Sequence, residues 1–510
     1  MLLTLIILPM TKIIIVGGGS AGWMTAATLE SQFPQHSISL IESKNIPTIG
    51  VGESTILPIQ RWLKLLKIKD EDFLKHVDGN YKLSIRFTDF YKKGEFFHYP
   101  FGTPVTEGNK YFLNDWWFKK ILFPKTPYSD YAECNYPLQM AYVNANKFNK
   151  KLDYAYHFDA TKFGIWLRDY YCKKVKHIID DVVSVEQNEN GIVSLNKKYK
   201  ADLYIDCTGF KSLLLGKSLK EPFESYSDIL PNDSAWATRL QYKNKKKELT
   251  TYTNCTAIEN GWVWRVPLWS RIGTGYVYSS KFVDDETALK EFKKHLKERE
   301  KVSKVDQLNF RNIKSRVGMY KRLWVKNVAA IGLAAAFVEP LESNALFTVH
   351  EFLISLVRNL QRNTVSQWDK DIFNHSCKRM FRSWAEFVAL HYALSHRDDT
   401  PYWRHCLNKN WSESLVNLKP EYVHGFQVAA LNQSEDFSFP VSGGLHCIAA
   451  GMHWAPTDIP SLTVNSTEDI EDIKKSFVSP VNQLQQRKEV CKKLVEKEKT
   501  IFTILKNAQR

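Results

Sequence analysis

The chain has 510 residues, 44% of them hydrophobic and 25% charged, which describes a soluble globule and, at this length, at least two packed units rather than one core. Its formal net charge of +15 is spread through runs such as Lys243–Glu248 and Lys492–Lys493. With no zinc-ligand spacing, RNA-binding signature or long basic arm, that charge reads as a solvated basic surface, with a nucleic-acid-associated protein as the lesser reading. Eight scattered cysteines without a C-x-x-C pair exclude a disulfide framework and a metal site and imply a reducing, cytoplasmic compartment.

The opening Met1–Pro9 is apolar but too short to cross a bilayer and lacks a basic leader; translation begins at Met10 or these residues are an extension. From Lys12 a β-branched run meets Gly17-x-Gly19-x-x-Gly22 and then the helical Met24–Glu30. A strand turning sharply into a helix start is a dinucleotide cradle. Gly17 allows the turn, Gly19 lets a pyrophosphate approach the backbone, and Gly22 lets the helix pack on its strand. A second apolar strand, Ile38–Ile41, ends in Glu42, at the spacing of a ribose hydroxyl acceptor. An acid there favours an adenosine ribose without a 2′-phosphate.

Further along, Ile49–Pro58 is a glycine-punctuated loop leading to an amphipathic segment near Arg61–Leu66. Tyr81–Phe87 alternates strictly, with Tyr81, Leu83, Ile85 and Phe87 on one face and Lys82, Ser84 and Arg86 on the other. By pattern alone Lys82 belongs to the polar face of a strand. Residues 91–150 are aromatic and loop-rich, with His98 and Phe101 together in Phe96–Phe101. Tyr156–Ala160 opens a helix through Leu167, capped by Asp159 or Thr161. Alternating strands follow over Val182–Leu195 and Ala201–Ile205, the last closing on Asp206-Cys-Thr-Gly-Phe210.

Ser234–Ser280 has the periodicity of an antiparallel sheet, a layer suited to covering a substrate, and Gly261–Pro267 puts Trp262 and Trp264 on one face of their strand. Asn327–Ser343 predicts a strand and small-residue turn before a helix carrying Leu346, Val349, Leu353, Leu356 and Leu360. Ser343 is the expected N-cap, so Glu342 lies at a helix start where the amides of Asn344 and Ala345 can bind an anion. The remainder, from Asn363, reads as mainly helical and ends in an amphipathic segment, Leu484–Leu505, expected to pack on the body.

Together these pieces resemble the flavin-dependent halogenases of the tryptophan halogenase family. The resemblance rests on the glycine turn, Gly50–Thr55, Tyr81–Phe87, Tyr156–Ala160, Asp206–Phe210, Trp262-x-Trp264-x-x-Pro267, Gly275–Ser280, Ile331–Ala335, Glu339–Ser343 and Ser395–Arg404. The Trp-x-Trp-x-x-Pro element and the lysine in its strand are the discriminating parts.

The resemblance implies an α/β fold: an FAD-binding, three-layer domain of the glutathione reductase and p-hydroxybenzoate hydroxylase kind with an antiparallel substrate layer. It implies a core over residues 10–360, in which 91–150 and 221–310 form the substrate side, and a mainly helical C-terminal region over 361–510 covering the substrate. It further implies that a separate reductase supplies reduced FAD, that O2 converts it to a flavin hydroperoxide, and that halide yields hypohalous acid. That oxidant travels through a tunnel to Lys82, which holds it by hydrogen bond or as a haloamine beside an indole-like or phenolic ring. Glu342, with Ser343, is the expected carboxylate for polarising the oxidant and taking the ring proton.

FAD is expected on Gly17, Gly19, Ser20, Ala21, Gly22, Glu42, Val51, Gly52, Glu53, Ser54, Val182, Gly332, Leu333 and Leu346, and halide at Asn344 and Ala345. Trp262 and Trp264 shield the substrate from the flavin, and His98 and Phe101 are candidates for the pocket wall. Neither a metal nor a membrane partner is expected, and a homo-oligomer is left open. Two departures stand out. Relatives acting on free tryptophan usually carry Thr-Gly where this chain has Asn344-Ala345, and their clasp for the amino acid end is not evident in Glu421–Trp454. The first predicts a preference for bromide or iodide, the second a less selective aromatic substrate. Two rival readings are an FAD monooxygenase or oxidoreductase and a flavin-binding protein without activity.

Overall fold

The computed structural model describes residues 11–45, 52–105, 116–117, 119–120, 123–361, 365–407, 442–454 and 469–509, with the backbone alone for 442–443 and 469–481. The chain forms two compact units, Met1–Gly79 with Phe158–Ser227 and Ser315–Arg382, and Asn80–His157 with Asp228–Lys314 and Ser383–Arg510. The aromatic stretch 91–150 and the residues from 383 onward thus share the second unit.

The first unit is built on a six-stranded sheet in the order Trp324–Val325, Val328–Ala330, Leu203–Asp206, Lys12–Val16, Ser37–Glu42, Lys176–Ile179. All neighbours are parallel except the first pair. Ile13, Ile14, Ile15 and Val16 lie in the middle and are buried, as a strand covered on both faces must be. The register sets Val16 beside Ile41 and Asp206, and Asp206 beside Ala330. The segments that follow these strands therefore leave one edge of the sheet together, the edge where α/β sheets bind ligands. Helix Ser20–Gln32 follows the glycine turn, and helix Ala345–Leu360 packs on it.

In the second unit seven strands pair in the order Arg311–Lys314, Ser234–Leu240, Ile272–Tyr278, Gly261–Pro267, Tyr252–Ile258, Ser84–Thr88, Phe96–Pro100. The expected antiparallel pattern over Ser234–Ser280 holds, and one parallel joint, Tyr252–Ile258 with Ser84–Thr88, extends it. Helix Asp285–Glu298 is capped by the Asp284 side chain, which accepts from the Thr287 amide at 2.9 Å. Its Ala288, Phe292 and Leu296 pack with Val263, Tyr276 and Tyr278 under the sheet. Because strand side chains alternate, Trp262 and Trp264 project from the opposite face.

Three expectations change. Tyr81–Phe87 is not one strand: Asn80–Lys82 pairs with Ala155–Phe158, and Ser84–Thr88 joins the large sheet. At the break the Leu83 amide donates to the Thr251 carbonyl at 2.6 Å. The strand expected from Val182 starts at Val185. The cap of helix Ala345–Leu360 is Asn344, not Ser343, because Pro340–Glu342 forms a 3-10 turn that leaves Ser343 in the left-handed region at φ 59.

The helical remainder comprises Gln367–Ala393, Pro401–Leu407, Ser442–Gly451, Asp469–Glu496 and Ile501–Ala508. Its amphipathic end packs within the second unit, with Leu484, Val495, Ile501 and Leu505 buried. Lys488 donates to Asp130, and Lys147 Nζ donates to the carbonyls of Val495 and Glu496 at 2.9 and 2.6 Å, capping the helix end.

Candidate active site

In the first unit the glycine turn behaves as its spacing predicts. Gly17 has φ 113, and a Cβ there would sit 2.3 Å from the Cys207 carbonyl oxygen. A Cβ on Gly22 would sit 1.8 Å from the Gly17 oxygen, so only glycine permits this approach of helix to turn. By contrast a Cβ on Gly19 would meet nothing within 4 Å among the described residues. Among those residues it faces open space that a side chain would fill. Beyond it stand the first amides of helix Ser20–Gln32, which no side chain caps, giving the donors and positive end that a pyrophosphate needs. The residues thus fit a dinucleotide.

Gly18 is also required. A Cβ there would fall 2.2 Å from the Glu42 carboxyl carbon, so the Glu42 side chain leans against the turn itself. Nothing in the glycine spacing signals this. Glu42 ends its strand, and its Oε2 lies 2.8 Å from His177 Nε2 on the neighbouring strand. Close by in sequence, Val182 follows the Asp180 amide that donates to the Glu42 carbonyl at 3.0 Å.

Asp206 is an anchor. One carboxylate oxygen accepts from the amide and hydroxyl of Thr208, the other from the amides of Leu214 and Leu215 at 2.7 and 2.9 Å. These bonds fix the Asp-x-Thr-Gly loop, while burial raises the Asp206 pKa. Gly332, at φ 71, would place a Cβ 2.7 Å from the Ala21 methyl, so the turn carrying Leu333 closes over the start of the cofactor helix. Ser20 donates its hydroxyl to the Ala160 carbonyl at 2.9 Å.

Glu53 and Ser54 form a short strand after Gly52. Burial, then the charge of Asp159, pushes the Glu53 carboxyl up to about 7. Asp159 itself caps helix Ala160–Trp166, accepting from the Lys162 amide at 3.1 Å. Val51 lies outside the described residues.

Ahead of helix Ala345–Leu360, Glu342, Ser343 and Asn344 are buried, and Leu346 lies in its first turn. Asn344 is 1% exposed, makes no capping bond, and has no hydrogen-bond partner for either carboxamide atom among the described residues. An unsatisfied buried amide costs about 1–3 kcal/mol. A side chain kept there at that cost, beside uncapped helix amides, suits an anion.

In the second unit Lys82 is 0% exposed, although its strand pattern reads as polar surface. Its Nζ lies 5.1 Å from the centre of the Phe101 ring. His157, on the partner strand, is equally buried, and its Nε2 lies 2.8 Å from Thr253 Oγ1. Burial and then the charge of Lys82 hold the His157 pKa well below its ordinary value. In the sequence Tyr156–Ala160 reads as a helix opening and as one motif of the family resemblance, and neither reading singles out this histidine. The signal was the motif itself, since a buried strand has no need of imidazole.

His98, expected beside Phe101, is held by Ser84 Oγ at 3.1 Å and stacks edge-on with Tyr252 at 5.2 Å. Burial and then Arg86 drive its pKa down to about 3, so it is neutral. Trp262 and Trp264 are 0% and 8% exposed, with ring centres 6.3 Å apart. Gly275 makes room for Trp264, since a Cβ there would fall 2.1 Å from its ring. Neither indole N–H has an acceptor among the described residues. Two orphaned donors at about 1–3 kcal/mol each make this pair more than core filling.

The Ser395–Arg404 motif steadies the turn before their strand. Trp403 Nε1 donates to the Ile258 carbonyl at 2.7 Å and Thr400 Oγ1 to that of Glu259 at 2.8 Å, while Arg397 grips Asp399 with two bonds of 2.9 Å. Among the described residues, no group of three or more His, Cys, Asp or Glu is placed to hold a metal, and no helix is long and apolar enough to cross a membrane.

Comparison with known proteins agrees with these features. The family profile described as tryptophan halogenase matches residues 12–467. Tryptophan 7-halogenase RebH of Lentzea aerocolonigenes is 32% identical over 509 residues, covering 91% of this chain and 94% of that protein. Tryptophan 6-halogenase SttH of Streptomyces toxytricini is 33% identical over 427 residues, covering 77% and 80%. The solved apo structure of VirX1 is 36% identical and superposes with a TM-score of 0.83 over 98% of this chain and 99% of that one.

Proposed function

This chain belongs to the tryptophan halogenase family, and from that premise we propose that it halogenates an electron-rich indole-like or phenolic ring, using reduced FAD, O2 and halide. A separate flavin reductase supplies the reduced cofactor. When bound, reduced FAD with O2 supplies the two-electron oxidation of halide to hypohalous acid.

The chain's own residues do the rest. The turn from Gly17 to Gly22 and the amides of Ser20 and Ala21 hold the pyrophosphate, and Glu42 accepts from the adenosine ribose. Gly52, Glu53, Ser54, Val182, Gly332, Leu333 and Leu346 surround the remainder of the cofactor. Asn344 Nδ2 and the Ala345 amide donate to the halide at the positive helix end. The carboxamide of Asn344 and the β-carbon of Ala345 change the wall of the halide site relative to Thr-Gly, and the preference shifts toward bromide or iodide. Competition assays in which chloride is turned over best would overturn that preference.

Lys82 receives the hypohalous acid. Its ammonium donates to the oxidant's oxygen and makes the halogen more electrophilic, or its amine carries the halogen covalently. Glu342, behind Ser343, supplies the carboxylate for the proton that rearomatisation releases. Trp262 and Trp264 keep substrate from the flavin, so the ring meets released oxidant rather than a direct oxygen transfer. The C-terminal residues from 361 cover the substrate, which is less selectively held than free tryptophan. The stretch 421–441, where an amino acid clasp was sought, lies outside the described residues.

The observation that carries the reading is the complete burial of Lys82. An ammonium removed from water costs several kcal/mol, and a strand's solvent face has no reason to incur that. The test is to supply reduced FAD, air and each halide with a panel of indoles and phenols, and to search for halogenated masses. Rapid NADPH oxidation by the isolated chain, with hydroxylated product and no halide dependence, would favour a monooxygenase instead.

A further inference from the structure

We propose that His157 is the second ligand of the oxidant: hypohalous acid docks between Lys82 and His157, donating its O–H to His157 Nδ1 and accepting from the lysine ammonium. This deepens the role just given to Lys82 and rests on it.

Strands Asn80–Lys82 and Ala155–Phe158 run antiparallel, with Asn80 opposite His157 and Lys82 opposite Ala155. Residues directly opposed share a face, and alternate residues of one strand share it too. Asn80, Lys82, Ala155 and His157 therefore project together. Ala155 presents only a methyl opposite Lys82, and His157 stands on the diagonal, within reach of a long side chain. All four are 0% exposed.

Two acceptors on this face have no hydrogen-bond partner among the described residues. Asn80 Nδ2 donates to the carbonyls of Thr250 and Pro267, both at 2.9 Å, which fixes the amide and leaves Oδ1 buried as the first of them. On His157, Nε2 is engaged with Thr253 and the buried Nδ1 is the second. In the tautomer that donates Nε2–H to Thr253, Nδ1 presents a lone pair. Burial and the neighbouring ammonium keep this ring neutral, so the lone pair stays an acceptor. An acceptor on His157 with no partner among the described residues, on the strand face that also carries the Lys82 ammonium, suits a small hydroxylic molecule that donates to Nδ1 and accepts from the lysine. Hypohalous acid has one O–H to give and an oxygen to receive, and bound this way its halogen is left facing outward.

The halogenation step then balances. The arene carbon bonds to the halogen, and the oxygen–halogen bond breaks with its electron pair going to oxygen. Lys82 protonates the departing hydroxide to water, and the ring proton passes to the carboxylate assigned to it above. His157 changes neither charge nor protonation; it keeps the oxidant from leaving before the ring attacks.

The two amide analogues of histidine separate this role from a structural one. His157→Asn puts an acceptor near the position of Nδ1 and gives up Thr253, whereas His157→Gln keeps the Thr253 contact and gives up Nδ1. Each folded variant is given reduced FAD, O2 and bromide with an indole, and brominated indole is measured against free hypobromous acid caught by monochlorodimedone. For His157→Gln the ratio of product to trapped oxidant is expected to fall about tenfold, the worth of one hydrogen bond, at unchanged total oxidant. His157→Asn is expected to stay within about threefold of the parent. A wild-type ratio in His157→Gln, or an equal fall in both, overturns the proposal. If His157→Gln does not fold, Thr253→Val, which frees the tautomer, gives the same readout: a fall of a few-fold supports the proposal and an unchanged ratio overturns it. Lys82→Ala run alongside separates the two levels, since product persisting there defeats the role of Lys82, whereas loss there with a normal His157→Gln defeats His157 alone.

Discussion

Replacing Asn344 by glycine is expected to weaken halide use at least tenfold while leaving the maximal rate nearly unchanged. Asn344 caps helix Ala345–Leu360 at φ −91 and ψ 0, a backbone that glycine adopts without strain, and its carboxamide makes no capping bond that would be lost. The side chain is 1% exposed with both polar atoms unsatisfied among the described residues. Removing it relieves about 1–3 kcal/mol of desolvation, offset by about 0.5–1 kcal/mol for the added backbone freedom, so the resting protein is at least as stable as before. A hydrogen bond to a bound anion contributes about 1.5–3 kcal/mol, equivalent to about 10–100-fold in affinity. The assay is initial rate against bromide concentration at saturating reduced FAD and arene, with melting curves with and without bromide. The bromide KM should rise by that factor, kcat should stay within about twofold, and bromide should lose most of its stabilising effect. A folded variant with an unchanged bromide KM would remove Asn344 from the halide site.

Other perturbations test separate parts of the account. Gly19→Ala meets no atom within 4 Å among the described residues, so the melting temperature should hold while FAD affinity falls about 100-fold or more; tight FAD binding by fluorescence titration would refute the cradle. Glu53 is raised from 4.5 to about 7 by burial and then by Asp159, so between those values the folded state binds more protons than the unfolded. The stability it contributes is whole below pH 4.5 and is lost as pH rises through 7, about 3–4 kcal/mol by pH 8. Glu53→Gln should flatten that part of the stability profile, measured by urea unfolding across pH. Asp130 accepts from Lys119, Lys488 and Trp116, so Asp130→Ala takes the carboxylate from the buried Lys119 and leaves Lys488 with Glu133 alone, and should cost about 3 kcal/mol, visible as a lower urea midpoint without loss of the halide dependence of any remaining activity.

What was legible in the sequence follows from how local each constraint is. The glycine turn could be read because its three requirements, turn, open cradle and close packing, fall within six residues of one strand and helix. The obligation on Gly18 could not, because Glu42 arrives from the next strand. Lys82 shows the same limit more sharply. Alternation places it on the face opposite Tyr81, but whether that face meets water depends on pairing with Ala155–Phe158, seventy-odd residues away in the chain. Only the motif resemblance singled it out. The cap of helix Ala345–Leu360 falls one residue later than the sequence reading placed it because Ser343 and Asn344 are equally good caps by propensity, and Pro340 commits the chain to a tight turn that uses Ser343 up. Trp262 and Trp264 were legible as a pair on one face, and their orphaned N–H groups appeared only with the packing.

The most direct test compares the parent and Lys82→Ala under reduced FAD, O2 and bromide, measuring brominated indole and trapped hypobromous acid in the same reaction. If the buried amine delivers the halogen, the variant should bind FAD and generate oxidant as before, with brominated product reduced at least about a hundredfold and the missing equivalents recovered in the trap. Brominated indole formed at the parental rate by a folded Lys82→Ala protein would contradict the account.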